Sequence, residues 1–204
     1  MQEHILLLPF QLSQADINTV ETRLTEFADL KKLGNDEWFS ELCFCLLTAN
    51  SQAQRAIDIQ KHLGIKGFLE ESEENIAQTI KSFGHRFHNN KAKYIVLARK
   101  YKNIKDHLKY LTNLQAREFL VSNIKGLGYK EASHFLRNVG YEDFAIIDRH
   151  IIKFLYQNNF IKDIPTSITK KMYLELETIL KKYNIALNKL DLMIWCHITG
   201  KILK

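Results

Sequence analysis

Two prolines, Pro9 and Pro165, and eight glycines are few for 204 residues, so there are few points at which a helix is forced to stop. Cysteine is scarce too. Cys43, Cys45 and Cys196 are odd in number and make no CxxC pair, which excludes a disulfide framework and a zinc site and leaves buried thiols in a reducing compartment. No run of roughly 18 or more uncharged apolar residues is present, and the N-terminal ILLLPF is too short and poorly flanked for a signal peptide. A soluble cytoplasmic protein with no membrane partner is expected. Internal repeats, low-complexity tracts and runs of alternating period two are also missing, and with them the signature of a sheet.

What remains is helical. Hydrophobic residues make up 46% of the chain, enough to fill a core. The net charge of +6 favours a polyanionic partner, since each phosphate neutralised releases counterions. Met172, Leu176, Ile179, Leu180 and Tyr183 recur on one helical face. Ser13 with Asp16, and Ser167, read as N-caps, while Gly34, Gly64, Gly84 and Gly140 punctuate. Helices are predicted over 13–32, 36–48, 51–63, 73–82, 89–102, 115–124, 130–139, 148–157, 168–183 and 187–198. The mixed-charge stretches LEESEEN and ARKYKNIKDHLK read as solvated helix faces.

The segment Ile124 to His150, IKGLGYKEASHFLRNVGYEDFAIIDRH, carries the chemistry. Gly126 and Gly128 flank Leu127 between two helical patterns, so the backbone can turn sharply and bring N–H groups close to a phosphate. Lys130 falls in the first turn of the next helix. A surface lysine is the ordinary reading of such a residue, yet a helix built for stability avoids a cation in its first turn. An unperturbed amine is neutral in only about 1 molecule in 2,500 at pH 7, and a cleft and a helix N-terminus both work against its charge. Asp148 follows the apolar run Ala145, Ile146, Ile147 and reads as an N-cap ahead of Ile151, Ile152 and Leu155, worth about 1 kcal/mol. The same rigid carboxylate can stabilise positive charge on a sugar, and the two roles are compatible.

This segment resembles the helix-hairpin-helix and catalytic-aspartate signature of the DNA glycosylase superfamily. KEASHFLRNVG followed by IIDRH is similar to the second type of 8-oxoguanine DNA glycosylase/AP lyase, found in archaea and some bacteria. The resemblance continues through LTANSQAQ (Leu47 to Gln54), GHRF with KAKYI (Gly84 to Ile95) and WCHITGKILK (Trp195 to Lys204). It implies an all-α chain forming a single glycosylase unit of two helical lobes flanking a cleft. One lobe would span about 33–124, the other about 1–32 plus 125–204, with DNA and a flipped base in the groove. It implies a monomeric, DNA-associated prokaryotic enzyme acting on double-stranded DNA that contains 8-oxoguanine or abasic sites. Lys130 would displace the base, form a Schiff base and permit β-elimination, with Asp148 assisting. The four-cysteine iron–sulfur loop of some relatives cannot be built here.

The resemblance also nominates binding residues, each with a plainer reading beside it. Gly126, Gly128 and His150 would contact DNA phosphates, although helix turns often carry glycine and helix surfaces carry histidine. Asn50 would fill the gap left by base extrusion, or serve as a turn residue and N-cap beside Ser51. Trp195 and Phe87 would sandwich the base, with Phe83 competing for the second place and core packing the alternative for all three. Lys204 would distinguish 8-oxoguanine from guanine through a carboxylate accepting the N7–H, where a loose tail is the bland alternative. Asp191, one turn before Trp195, would read the pairing edge. No cofactor is required, though the carbonyls of Ser122, Ile124 and Leu127 match those that hold a monovalent cation in the superfamily. No arginine pair matches the cytosine-reading residues of the larger eukaryotic-type enzymes, so weak opposite-base discrimination is expected. A glycosylase for another oxidised base and a non-catalytic DNA-holding module are the rivals.

Overall fold

The computed structural model describes residues 5–204. The described residues form eleven α-helices and one 3-10 turn, with no strand among them. In order these are α1 (Gln14–Lys32), α2 (Asn35–Thr48), α3 (Ala53–Glu70), α4 (Glu73–Ser82), α5 (His88–Ala98), α6 (Ile104–Leu108), α7 (Asn113–Asn123), α8 (Tyr129–Asn138), α9 (Arg149–Gln157), α10 (Lys170–Lys181) and α11 (Leu187–Thr199). The 3-10 turn, Arg99–Tyr101, ends the expected 89–102 helix early. Helix α6 was not anticipated, because five residues are too few to display a period. Within α3 the helix is interrupted at Gly64, where φ of +60° and ψ of −176° are not helical, so the predicted 51–63 helix ends there and a second helical segment runs on to Glu70.

The buried apolar residues fall into two main cores. The first is built around α2, in which every residue from Trp38 to Thr48 is buried, as in a helix surrounded on all sides. Residues of α3 to α7 pack on it, and so do Ala132, Phe135 and Leu136 of α8. The second core gathers Ala145 and Ile147 with the apolar faces of α9, α10 and α11, and Leu6, Leu8 and Phe10 pack against it. A small patch of Val20, Phe27 and Leu192 fixes α1 along α11. Helix α8 turns its apolar face into the first core, and the clusters part between Phe144 and Ala145.

Buried ion pairs join the two cores, and one of them is doubly bonded. Arg117 of α7 binds Glu177 of α10 through two hydrogen bonds, 2.7 and 3.0 Å, and donates to Ser133 Oγ at 3.2 Å. Its guanidinium lies 5.3, 4.7 and 5.7 Å from the ring centres of Tyr129, Phe144 and Tyr173. The planar fork suits both contacts at once.

Caps account for several helix starts. Ser13 accepts the Asp16 N–H at 3.1 Å as expected. Thr169, not Ser167, caps α10 by accepting the Met172 N–H at 3.3 Å, so α10 begins at Lys170 and not at the predicted 168. Its apolar stripe is buried at Leu176, Leu180 and Tyr183, joined by Tyr173 and Glu177. All three cysteines are free and buried.

Candidate active site

The hairpin between α7 and α8 depends on Gly126. Its φ is +96°, and a Cβ there would stand 2.4 Å from Tyr94 Cδ2, so conformation and packing both demand the missing side chain. Gly128 is different. It is the N-cap of α8 with φ of −92°, and its N–H donates to Glu131 Oε2 at 3.3 Å. That N–H is engaged within the chain, contrary to the expectation that it faces phosphate. The N–H groups of Lys125, Gly126, Tyr129 and Lys130 have no hydrogen-bond partner among the described residues, which leaves four donors open to an anion at a helix N-terminus.

Lys130 is the second residue of α8. Its side chain is 35% exposed, and Nζ lies 3.5 Å from Glu131 Oε1. Glu131 thus faces both the hairpin backbone and the amine, and it offsets the cation in the first turn. One turn along the same face is His134, buried, with its ring edge-on to Phe44 at 5.5 Å. Burial, joined by the charges of Arg137, Lys130 and Lys204, pushes the His134 imidazole well below its ordinary pKa, with the nearby Lys204 main chain opposing the shift. Its Nε2 is buried without a partner among the described residues.

Asp148 is the N-cap of α9 and accepts the N–H groups of His150 and Ile151 at 2.8 and 3.1 Å. The segment leading to it is anchored from two helices. Tyr173 of α10 donates to the Ala145 carbonyl at 2.9 Å and accepts the Ile147 N–H at 3.2 Å. Asp191 of α11 accepts the Ile146 N–H at 3.0 Å through the same oxygen that binds Arg137 at 2.9 Å. This corrects the expectation for Asp191. The residue is 3% exposed, and its carboxylate is spent on a buried guanidinium and a backbone N–H. It holds the approach to Asp148 and does not face a base.

The other nominated residues divide. Trp195 is half-buried on α11, with its ring 4.5 Å from that of His150 at 75°, so α11 and the start of α9 meet at these two rings. Lys204 returns to the first core, where Nζ pairs with Glu41 Oε2 at 2.5 Å and lies 4.5 Å from the Phe44 ring centre. Phe87 is exposed, with Arg86 over its ring and no ring contact to Trp195. Phe83 is the packed one of the pair, against the first core and 5.5 Å from His62. Asn50 is exposed at φ of +60° and caps nothing, since Gln52 holds the N-cap position of α3. Asparagine is among the few residues that tolerate this left-handed conformation. The Ile124 carbonyl already accepts the Leu127 N–H at 3.2 Å.

The loop bearing Phe87 and the turn bearing Asn50 share an anchor at the C-terminal end of α2. His85 Nε2 lies 3.0 Å from the Leu47 carbonyl, while its Nδ1 accepts the Phe87 N–H at 3.2 Å. Lys91 Nζ donates to the Leu46 carbonyl at 2.6 Å. A cation suits a helix C-terminus, but burial lowers this amine to about 8, Glu131 opposing the shift and Lys130 adding to it. Surface hollows of about 370 Å³ by Tyr156 and Lys162, and about 330 Å³ by Glu142 and Leu187, contain none of these residues.

A family model described as 8-oxoguanine DNA glycosylase matches residues 20–189, most of the chain. The chain belongs to that family. The 8-oxoguanine DNA glycosylase/AP lyase of Methanocaldococcus jannaschii is 52% identical over 200 residues, covering 95% of this chain and 96% of the relative. A crystal structure of the M. jannaschii glycosylase/lyase with a 15mer DNA containing 8-oxoguanine superposes with a TM-score of 0.90 at 51% identity, over 94% of each chain. The structure of the Thermotoga maritima 8-oxoguanine DNA glycosylase gives 0.88 at 38% identity, again over 94% of each. The all-helical fold is that of the family. Its hairpin, lysine and aspartate were legible as a local pattern. Glu41, Lys91, Glu131, His134 and Tyr173 were not singled out, and only the isolated charge of Glu41 within the apolar run WFSELCFCLL could have drawn notice.

Proposed function

We infer that this chain excises 8-oxoguanine from double-stranded DNA and cleaves the strand at the resulting abasic site. One observation carries the reading. Across 95% of the chain, at 52% identity to an 8-oxoguanine DNA glycosylase/AP lyase, the fold carries Lys130 in the first turn of α8 and caps α9 with Asp148.

The chemistry follows from those two groups. The neutral Lys130 amine attacks the anomeric carbon, the glycosidic bond breaks, and the base leaves with the bonding electron pair and takes up a proton. Loss of the amine proton and opening of the sugar ring give a protonated Schiff base. Removal of a C2′ proton then expels the 3′ phosphate. Asp148, rigid because two backbone N–H groups hold it, stabilises the positive charge that develops on the sugar.

The base is extruded into the groove between the cores, where Trp195 and Phe87 offer stacking surfaces. Lys204 supplies a main-chain oxygen to the N7–H that only the oxidised base carries. Asn50 enters the gap in the stack. The open N–H groups of the hairpin and His150 grip phosphates, contacts that position the duplex without reading its sequence. The hard carbonyl oxygens of Ser122, Ile124 and Leu127 suit a monovalent cation, and the Ile124 oxygen keeps a lone pair beyond its bond to Leu127. Such a cation would add positive charge beside the hairpin's donors. The enzyme acts as a monomer and discriminates weakly among bases opposite the lesion.

Borohydride trapping on an 8-oxoguanine duplex tests the reading. Wild type should give a covalent protein–DNA adduct and Lys130→Gln none, with duplex binding retained. An adduct at wild-type yield from the variant would refute it.

A further inference from the structure

Glu41 lies midway along α2, 2% exposed inside the first core, where an ionised carboxylate is costly unless it is partnered. Its partners come from remote parts of the chain. Oε1 accepts from Asn138 Nδ2 at 2.6 Å, and Oε2 accepts from Lys204 Nζ at 2.5 Å, with Gln60 Nε2 at 3.4 Å. The Asn138 side-chain oxygen in turn takes Nε and Nη2 of Arg137, at 3.1 and 2.9 Å. Arg137 Nη1 reaches Asp191 Oδ2 at 2.9 Å, and that oxygen accepts the Ile146 N–H at 3.0 Å. The Ile146 carbonyl then accepts the Asp148 N–H at 2.9 Å. Glu41, Asn138, Arg137 and Asp191 are all at most 3% exposed. An unbroken buried chain of hydrogen bonds therefore connects the Lys204 amine with the main chain of Asp148.

The tail needs such a fixture. Residues 201–204 have no helical structure of their own after Gly200, which turns the chain at φ of +65°. Ile202 packs on the small patch of Val20, Phe27 and Leu192, and the Thr199 hydroxyl bonds the Lys201 main chain. Those contacts stop short of Lys204. What remains to fix Lys204 is its pairing with Glu41 and the seat of its amine over the Phe44 ring.

The geometry points to Glu41 as a positioning residue for lesion discrimination: it fixes Lys204 in the base pocket and, through Asn138, Arg137 and Asp191, ties that seat to the seat of Asp148. This rests on the base-excision reading above. Glu41 touches neither base nor sugar in this role. A carboxylate serving stability alone would, when altered, slow every step alike. A positioning carboxylate shifts the preference for 8-oxoguanine over guanine while sparing the step that has no base to read.

Glu41→Gln keeps the shape of the side chain and removes the charge. Single-turnover excision from 8-oxoguanine and guanine duplexes, beside lyase action on a preformed abasic duplex, gives the readout. The 8-oxoguanine:guanine rate ratio should fall on the order of tenfold to a hundredfold, with a clearly smaller loss of lyase rate. Adding Lys204→Met to Glu41→Gln should then cost less than the product of the two single effects. A wild-type ratio, or equal losses of ratio and lyase rate, overturns the proposal. Should Glu41→Gln not fold, Lys204→Arg and Lys204→Met decide it: the arginine, still able to pair with Glu41, must preserve more of the ratio than the methionine, and equal ratios overturn it. Absence of excision by the wild type would instead refute the function on which the proposal is built.

Discussion

Replacing Gly126 with alanine separates what the hairpin owes to backbone freedom from what it owes to packing. The residue sits at φ of +96°, and the new Cβ would meet Tyr94 Cδ2, Cε2 and Cγ at 2.4, 2.9 and 3.1 Å. Holding an L-residue in left-handed backbone costs about 1–2 kcal/mol. The clash involves the root of the ring, so the whole Tyr94 side chain must move, at about 1–3 kcal/mol for an overpacked site. Together the cost is about 2–5 kcal/mol, and a chain of this size loses roughly 2–4 °C of Tm per kcal/mol. The hairpin can escape part of this by opening locally, in which case affinity for an abasic-site duplex falls instead. Thermal melts and duplex binding should therefore be read together. The same substitution in a Tyr94→Ala background should cost only the backbone share, about 1–2 kcal/mol. Equal costs in both backgrounds would refute the packing argument, and a Gly126→Ala protein that melts and binds like wild type would refute both.

Asp148→Asn should keep the cap, leaving stability within about 0.5 kcal/mol, yet lose most trapped adduct; Asp148→Ala should lose the adduct and about 1 kcal/mol besides. Equal stability of the two variants in denaturant melts would contradict the capping role. Tyr173→Phe strips partners from the Ala145 carbonyl and Ile147 N–H in a buried setting, so a loss of about 1–3 kcal/mol per group is expected, together with slower excision; unchanged melts and rates would show that Tyr173 does not seat Asp148. Lys91, lowered by burial from 10.5 to about 8, gives a pH signature. Between those values the unfolded chain holds a proton that the folded chain lacks, so stability rises with pH by at most roughly 1.4 kcal/mol per unit. Lys91→Met should flatten that rise in melts from pH 8 to 10, and parallel slopes would count against it.

The helices were legible because apolar period and the shortage of breakers agree. The 73–82 prediction coincides with α4, and α2 and α9 begin within one residue of expectation. Failures have local causes. Ser167 and Thr169 are both capping types two residues apart. At the site, a lysine after a glycine turn and an aspartate before an apolar stripe are neighbours in sequence, so the pattern carries them. Glu41 and its partners Asn138 and Lys204 are 97 and 163 positions apart, a relation that no local spacing records. Asp191 was misread for a related reason. An aspartate between Leu190 and Leu192 on a packed helix must find a cation, and Arg137 lies 54 positions away.

The clasp between Arg117 and Glu177 bears on how a purine gets in. Spreading the jaws of the molecule would strip a guanidinium and a carboxylate of each other in a region where both are almost wholly dry, a penalty of about 3–5 kcal/mol. Hinged gaping is thereby disfavoured. In the pocket proposed above, entry then falls to smaller parts giving way, the exposed Phe87 ring, the half-exposed tryptophan and the last few residues, while the frame keeps its width.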